Sequence, residues 1–91
     1  MQLSRYAFIV KGPDYFPEQH TSELRSPKFS TRVVGVSDYQ TALLIAEQLI
    51  ADGIQLIELC GGFTESEAVE LQLSTGKKIP IGVVKYDDVL E

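Results

Sequence analysis

Ninety-one residues, 44% of them hydrophobic, 23% charged and 9% aromatic, have the make-up of one ordinary globular domain spanning residues 1–91. That composition and a single cysteine exclude a disordered chain, a collagen-like repeat and a disulfide-stapled mini-protein. The net charge of −5 arises wholly in the second half: residues 1–50 balance five basic against five acidic side chains, whereas residues 51–91 hold three against eight. A nucleic-acid partner is therefore not expected, because phosphate neutralisation needs a basic face.

In chain order, the first strand is predicted over residues 6–11 (YAFIVK), a short run rich in aromatic and β-branched residues. Residues 12–30 contain three prolines and two aromatics before Lys28, and Pro17-Glu18 is placed to open a short helix running to Leu24. If that helix forms, the sheet is expected to be wholly parallel. Without it, the first two strands are free to pair antiparallel in a mixed sheet. The parallel version is preferred, because residues 33–36 and 81–84 are nearly continuous in apolar residues, as in strands covered on both faces.

The second strand is predicted over residues 32–36 (RVVGV), followed by a helix that Ser37 and Gln40 would cap as an S-x-x-Q box. Ala42, Ile45, Ala46, Leu49 and Ile50 recur at spacings of three and four, marking one buried stripe, and Gly53 supplies a left-handed residue to end it. A third strand follows over residues 54–60 (IQLIELC). A second helix is capped by Thr64 with Glu67, has Ala68, Val69, Leu71 and Leu73 as apolar members and stops near Gly76. Its Glu65 and Glu67 lie at the positive end of the helix dipole, and Lys77 and Lys78 at the negative end. The last strand covers residues 79–86 (IPIGVVKY). The expected fold is a single α/β domain with about four mostly parallel strands, two main helices and a short third helix (β-α-β-α-β-α-β).

In such sheets ligands collect beyond the carboxyl ends of the strands. The most informative of these ends is Cys60-Gly61-Gly62-Phe63-Thr64, where two glycines precede a capped helix and let backbone N–H groups approach a ligand. The same pair also suits a plain tight turn, and neither G-x-G-x-x-G nor a Walker loop is present. No cofactor is expected. Glu58, Glu65 and Glu67 would repel a phosphate unless Lys11 or Lys85 compensates, so a neutral or weakly charged small molecule suits the site better. Lys11, Glu58, Gly61, Gly62, Thr64 and Asp87 are the candidate binding residues.

Cys60, ahead of a helix N-terminus, is a candidate nucleophile with His20, the only histidine, as its base. The bland alternative is a buried small thiol and a solvated loop histidine. Asp87 and Asp88 follow the last predicted strand and match no metal-ligand spacing, and neighbours on a strand are expected to face opposite ways, so no metal is expected. Tyr6, Tyr15, Phe16 and Tyr86 either line a pocket or complete the core.

No segment has the length and apolarity of a membrane span, the start has no basic region or cleavage site, and Asn is absent. A cytoplasmic protein is expected, with a self-associating sheet edge as a further reading.

At Ile57-Glu58-Leu59-Cys60-Gly61-Gly62-Phe63 the chain resembles a family of small bacterial proteins classed as a domain of unknown function. The likeness extends to Val33-Val34-Gly35-Val36, Pro17-Glu18-Gln19-His20 and Pro80-Ile81-Gly82-Val83-Val84. It implies a compact α/β domain, brings no established activity, and directs attention to His20, Glu58, Cys60, Gly61 and Gly62. The leading functional expectation is a small-molecule binding or sensing module. The alternatives are a cysteine-dependent enzyme using Cys60 and His20, and a self-associating interaction subunit.

Overall fold

The structure is a computed structural model that describes residues 2–84. Its strands are β1 (Arg5–Lys11), β2 (Thr21–Arg25), β3 (Ser30–Val36), β4 (Leu56–Gly61) and β5 (Ile81–Val83), and its helices are α1 (Tyr39–Ala51) and α2 (Glu65–Ser74). The strands form one sheet in the order β2-β3-β1-β4-β5. β1 runs parallel to β3 and β4, β4 runs parallel to β5, and β2 alone is antiparallel, against β3. The expectations for Lys85, Tyr86, Asp87 and Asp88 lie outside the described residues.

The α/β class, the mostly parallel sheet and the two main helices are as the sequence predicts. The short third helix is not. Pro17 opens a single turn, in which the Gln19 and His20 N–H groups donate to the Phe16 carbonyl at 2.9 and 2.8 Å. The next five residues form β2 instead, making five strands rather than four. Thr21-Ser22-Glu23-Leu24-Arg25 has no apolar stripe for a helix to bury, whereas an exposed edge strand needs none. The hairpin through Ser26 and Phe29 then returns the chain beside β1, so β1 and β3 are parallel in a mixed sheet, without a crossover helix between them.

Helix α1 begins one residue later than its predicted box. Asp38, not Ser37, is the N-cap, and its carboxylate accepts from the Thr41 N–H at 2.8 Å. At the other end Gly53 takes φ +92°, the Gly53 N–H donates to Ile50 and the Ile54 N–H to Leu49, a Schellman closure. Helix α2 has the predicted reciprocal box between Thr64 and Glu67 and closes the same way through Gly76 and Lys77. Its Ala68 and Leu71 are buried, but Val69 and Leu73 are exposed.

Going from β3 to β4 and from β4 to β5, the chain moves the same way across the sheet, so right-handed crossovers lay both helices on one side. The core is that interface. Ala7, Ile9, Val34, Val36, Ile57 and Leu59 from the sheet pack against Ala42, Ala46, Leu49, Ala68 and Leu71 from the helices. Three alanines among the helical members let the helix backbones approach the sheet closely. Gln72 tethers the short edge strand: its Nε2 donates to the Ile79 carbonyl at 2.6 Å and its Oε1 accepts from the Ile81 N–H at 2.8 Å. Among the described residues no helix is long and apolar enough to cross a membrane.

Candidate functional site

The carboxyl ends of β1, β3 and β4 lie along one edge of the sheet and offer two regions to a ligand. The first is the Gly61-Gly62 turn. Gly61 takes φ +78°, and a Cβ there would collide with the carbonyl oxygen of Lys11, its register partner in β1. The Gly62 N–H donates to that same carbonyl at 3.0 Å. Beyond it, the Thr64 N–H donates to Glu67 Oε1 at 3.0 Å and the Glu67 N–H donates to Thr64 Oγ1 at 3.1 Å. Lys11 Nζ sits 2.9 and 3.1 Å from the Glu67 carboxylate oxygens and 5.1 Å from the centroid of the Phe63 ring. The chain thus places its own carboxylate at the start of α2, and its own lysine on that carboxylate.

Lys11, and after it the Thr64 N–H, hold the Glu67 carboxyl below its usual range. A carboxylate with a lowered native pKa adds stability that is full above the ordinary glutamate value of about 4.3 and fades as pH falls through and below it. Glu67→Gln is therefore expected to cost about 1 kcal/mol at pH 7. Urea titrations between pH 3 and pH 7 should show that the gap to wild type closes as pH drops. A gap that persists at pH 3 would contradict this assignment.

Glu58 and Cys60 lie on the other face of the sheet, away from the helices, because Ile57 and Leu59 between them are buried beneath the helices. Burial, and then the neighbouring Glu58, push the Cys60 thiol up, which opposes thiolate formation. Cys60 pairs in register with Val10 and Val10 with Gly35, whose N–H donates to the His20 carbonyl at 2.7 Å. Cys60 and His20 therefore stand in one row across the sheet, three strand spacings apart, about 14 Å at the backbone. That is well beyond direct proton transfer between a thiol and an imidazole. His20 Nδ1 instead accepts from the Phe16 N–H at 2.8 Å, which leaves Nε2 as the N–H donor of the neutral ring.

The second region lies under the loop that carries His20. To reach β2, the chain must pass over the end of β3, and two glycines make the crossing possible. A Cβ on Gly12 would lie 3.0 Å from the Tyr15 ring, and one on Gly35 would lie 3.0 Å from Tyr15 Cγ and 3.1 Å from His20 Cβ. Tyr15 and His20 pack against each other with ring centroids 5.2 Å apart. Between this loop and the sheet is a cavity of about 380 Å³ lined by Val10, Val33, Gly35, Tyr15, His20 and Thr21. A larger groove of about 460 Å³ lies on the helix side, between α1 and the β2–β3 hairpin. The Arg32–Asp52 ion pair, at 3.0 Å, belongs to its lining.

The sequence pointed to His20 and Tyr15, and to Gly35 only as part of a strand end, but not to Val10. The missed signal was the glycine inside Val-Val-Gly-Val, since a glycine in a strand interior often marks where another segment comes close. Among the described residues no group of three or more His, Cys, Asp or Glu side chains could hold a metal ion.

Fold and site together define a small α/β domain: a five-stranded sheet with helices on one side and a ligand-sized cavity at its strand ends on the other. The chain belongs to a family of unknown function (DUF6506), whose family model matches residues 4–90. Comparison with curated proteins and with solved structures returns no match.

Proposed function

We propose that the protein is a small-molecule binding module whose site is the cavity beneath the Tyr15–His20 loop, at the carboxyl ends of β1 and β3. The observation that carries this reading is the cavity itself. At about 380 Å³ it falls in the range of small-ligand sites. Its floor is aliphatic, its wall is aromatic, and His20 brings a donor to it. Such a lining suits a neutral, flat, largely apolar molecule with one hydrogen-bond acceptor. The acidic chain, with Glu58 on the same face, disfavours anions. The Gly61-Gly62 turn supports this role less well, because the Gly62 N–H and the start of α2 are engaged by Lys11 and Glu67. A single free cysteine with no disulfide partner in the sequence suits a reducing compartment, and we place the protein in the cytoplasm on that ground.

The test is an amide NMR titration of the full chain with benzamide as the neutral probe and inorganic phosphate as the anion. Benzamide is expected to move the amide signals of Val10, Tyr15, His20 and Gly35, and phosphate is not. Shifts centred on Gly61 to Thr64, or none with benzamide at millimolar concentration, would overturn the assignment.

A further inference from the structure

We infer that the sheet face opposite the helices is the contact surface of a symmetric dimer, in which two copies of this chain pack face to face. This inference does not rest on the ligand reading, although Val10, Val33 and Tyr15 belong to both surfaces. The strands β3, β1, β4 and β5 are parallel to one another, and strands paired that way are nearly always covered on both faces. Here both helices cover one face, and among the described residues only the Tyr15–His20 loop reaches onto the other, at its end. The remainder displays Tyr6, Phe8, Leu56 and Cys60, none of them fully buried, and Val10 and Val33 continue it to the mouth of the cavity under the loop. Tyr6 and Phe8 meet edge to face with centroids 5.0 Å apart, and Phe29 adds a third ring 6.2 Å from Tyr6. A contiguous apolar patch of this kind marks an interaction surface.

The area matches a second copy. Five strands about 4.8 Å apart, from about 10 Å long in β5 to about 23 Å in β1 and β3, give a flat footprint of roughly 450 Å². Two facing copies cover about 900 Å² before side-chain relief and the Tyr15, Phe16 and Phe29 rings are added, and specific interfaces begin near 1,000 Å². Charge points the same way. The chain carries −5, yet among the described residues the strand positions of this face hold a single charged side chain, Glu58. A surface so nearly neutral has nothing with which to select a charged partner, whereas a two-fold contact needs only to complement itself. A two-fold axis along β1, the central strand, sets the two Glu58 residues on opposite flanks. Gly82, beside Glu58 in β5, has open space where a side chain would stand, which leaves the carboxylate a route to the rim.

The face and the free edge of β2 predict different mutants. Leu24 belongs to the open face and is 71% exposed, so Leu24→Lys removes little packing from the monomer. Val33→Lys strikes nearer the centre. The Gly35–His20 bond sets the ladder so that the Glu23 N–H points to the free edge, and Glu23→Pro removes an edge donor without breaking a bond to β3. Sedimentation equilibrium of the full chain at about 100 μM is expected to give twice the 10.1 kDa monomer mass. Leu24→Lys and Val33→Lys should each raise the dimer dissociation constant at least tenfold with unchanged far-ultraviolet circular dichroism, and Glu23→Pro should not. If Val33→Lys fails to fold, Leu24→Lys decides. A wild-type monomer at that concentration, or a dimer that Glu23→Pro dissociates and Leu24→Lys does not, would overturn the proposal.

Discussion

Gly61→Ala is expected to cost about 3 kcal/mol, read as a shift of the urea midpoint at constant slope. Two effects add. The native φ of +78° is one that L-residues avoid at about 1–2 kcal/mol. The added methyl also meets the carbonyl oxygen of Lys11 in the neighbouring strand, a backbone atom that cannot swing aside. Relief requires β1 and β4 to part where the Gly62 N–H donates to that same carbonyl. Gly62→Ala is the control, because its Cβ would have Lys11 Cε as its nearest neighbour at 3.5 Å, an ordinary contact. A change under about 1 kcal/mol is expected there. Equal effects at the two positions would refute the argument. The outcome also bears on function: if Gly61 serves backbone approach, the Gly61→Ala protein should lose stability and keep its response to benzamide wherever it remains folded.

The second large effect is expected at Gly35. Gly35→Val places a branched side chain on the floor of the cavity, where even a Cβ would lie 3.0 Å from Tyr15 Cγ. The Tyr15–His20 loop must lift, and the overpacking should cost about 1–3 kcal/mol in urea. β-Branched residues are otherwise favoured in strands, so a cost at this position reports the loop and not the strand. The benzamide-induced shifts at Val10 and Tyr15 should disappear while the core amides of β1 and β4 keep their native positions. Retention of those shifts in a folded Gly35→Val protein would place the ligand elsewhere. Gly35→Ala should fall between, with loop signals displaced and binding weakened.

Gly61 and Gly35 illustrate how differently the sequence exposed the two regions. Gly61-Gly62 stood out because two glycines precede a capping box, and both glycines lie where a tight passage was predicted. Their use is internal, since Lys11, distant in sequence, brings its carbonyl to one side and its ammonium to the other. Gly35 was hidden in an apolar run that reads simply as a covered strand. Its purpose depends on Tyr15 and His20, in a loop whose path no local periodicity describes. β2 escaped detection for a related reason. It buries nothing, and its identity as a strand comes from the ladder to β3 and not from its own pattern. Cys60 and His20 were each placed at the correct end of the sheet, but only the strand order reveals that β1 and β3 stand between them.

The sequence alone determined whatever depends on neighbours within a few residues. Helix ends at Thr64, Gly53 and Gly76, the buried stripe of α1 and the apolar strands all follow from short-range sterics, capping and periodicity. The tertiary structure decided what depends on which strand lies beside which. It returned the chain through β2 to set β1 parallel to β3, put both helices on one face, and filled the start of α2 with Glu67 and Lys11. It also opened a cavity over Gly35. The physical reason is that strand order is set by nonlocal hydrogen bonding and burial, for which a single strand carries almost no local code. The acidity of the second half shows both sides: its sum could be read from composition, but the use of Glu67 as an internal anion became evident only with Lys11 beside it.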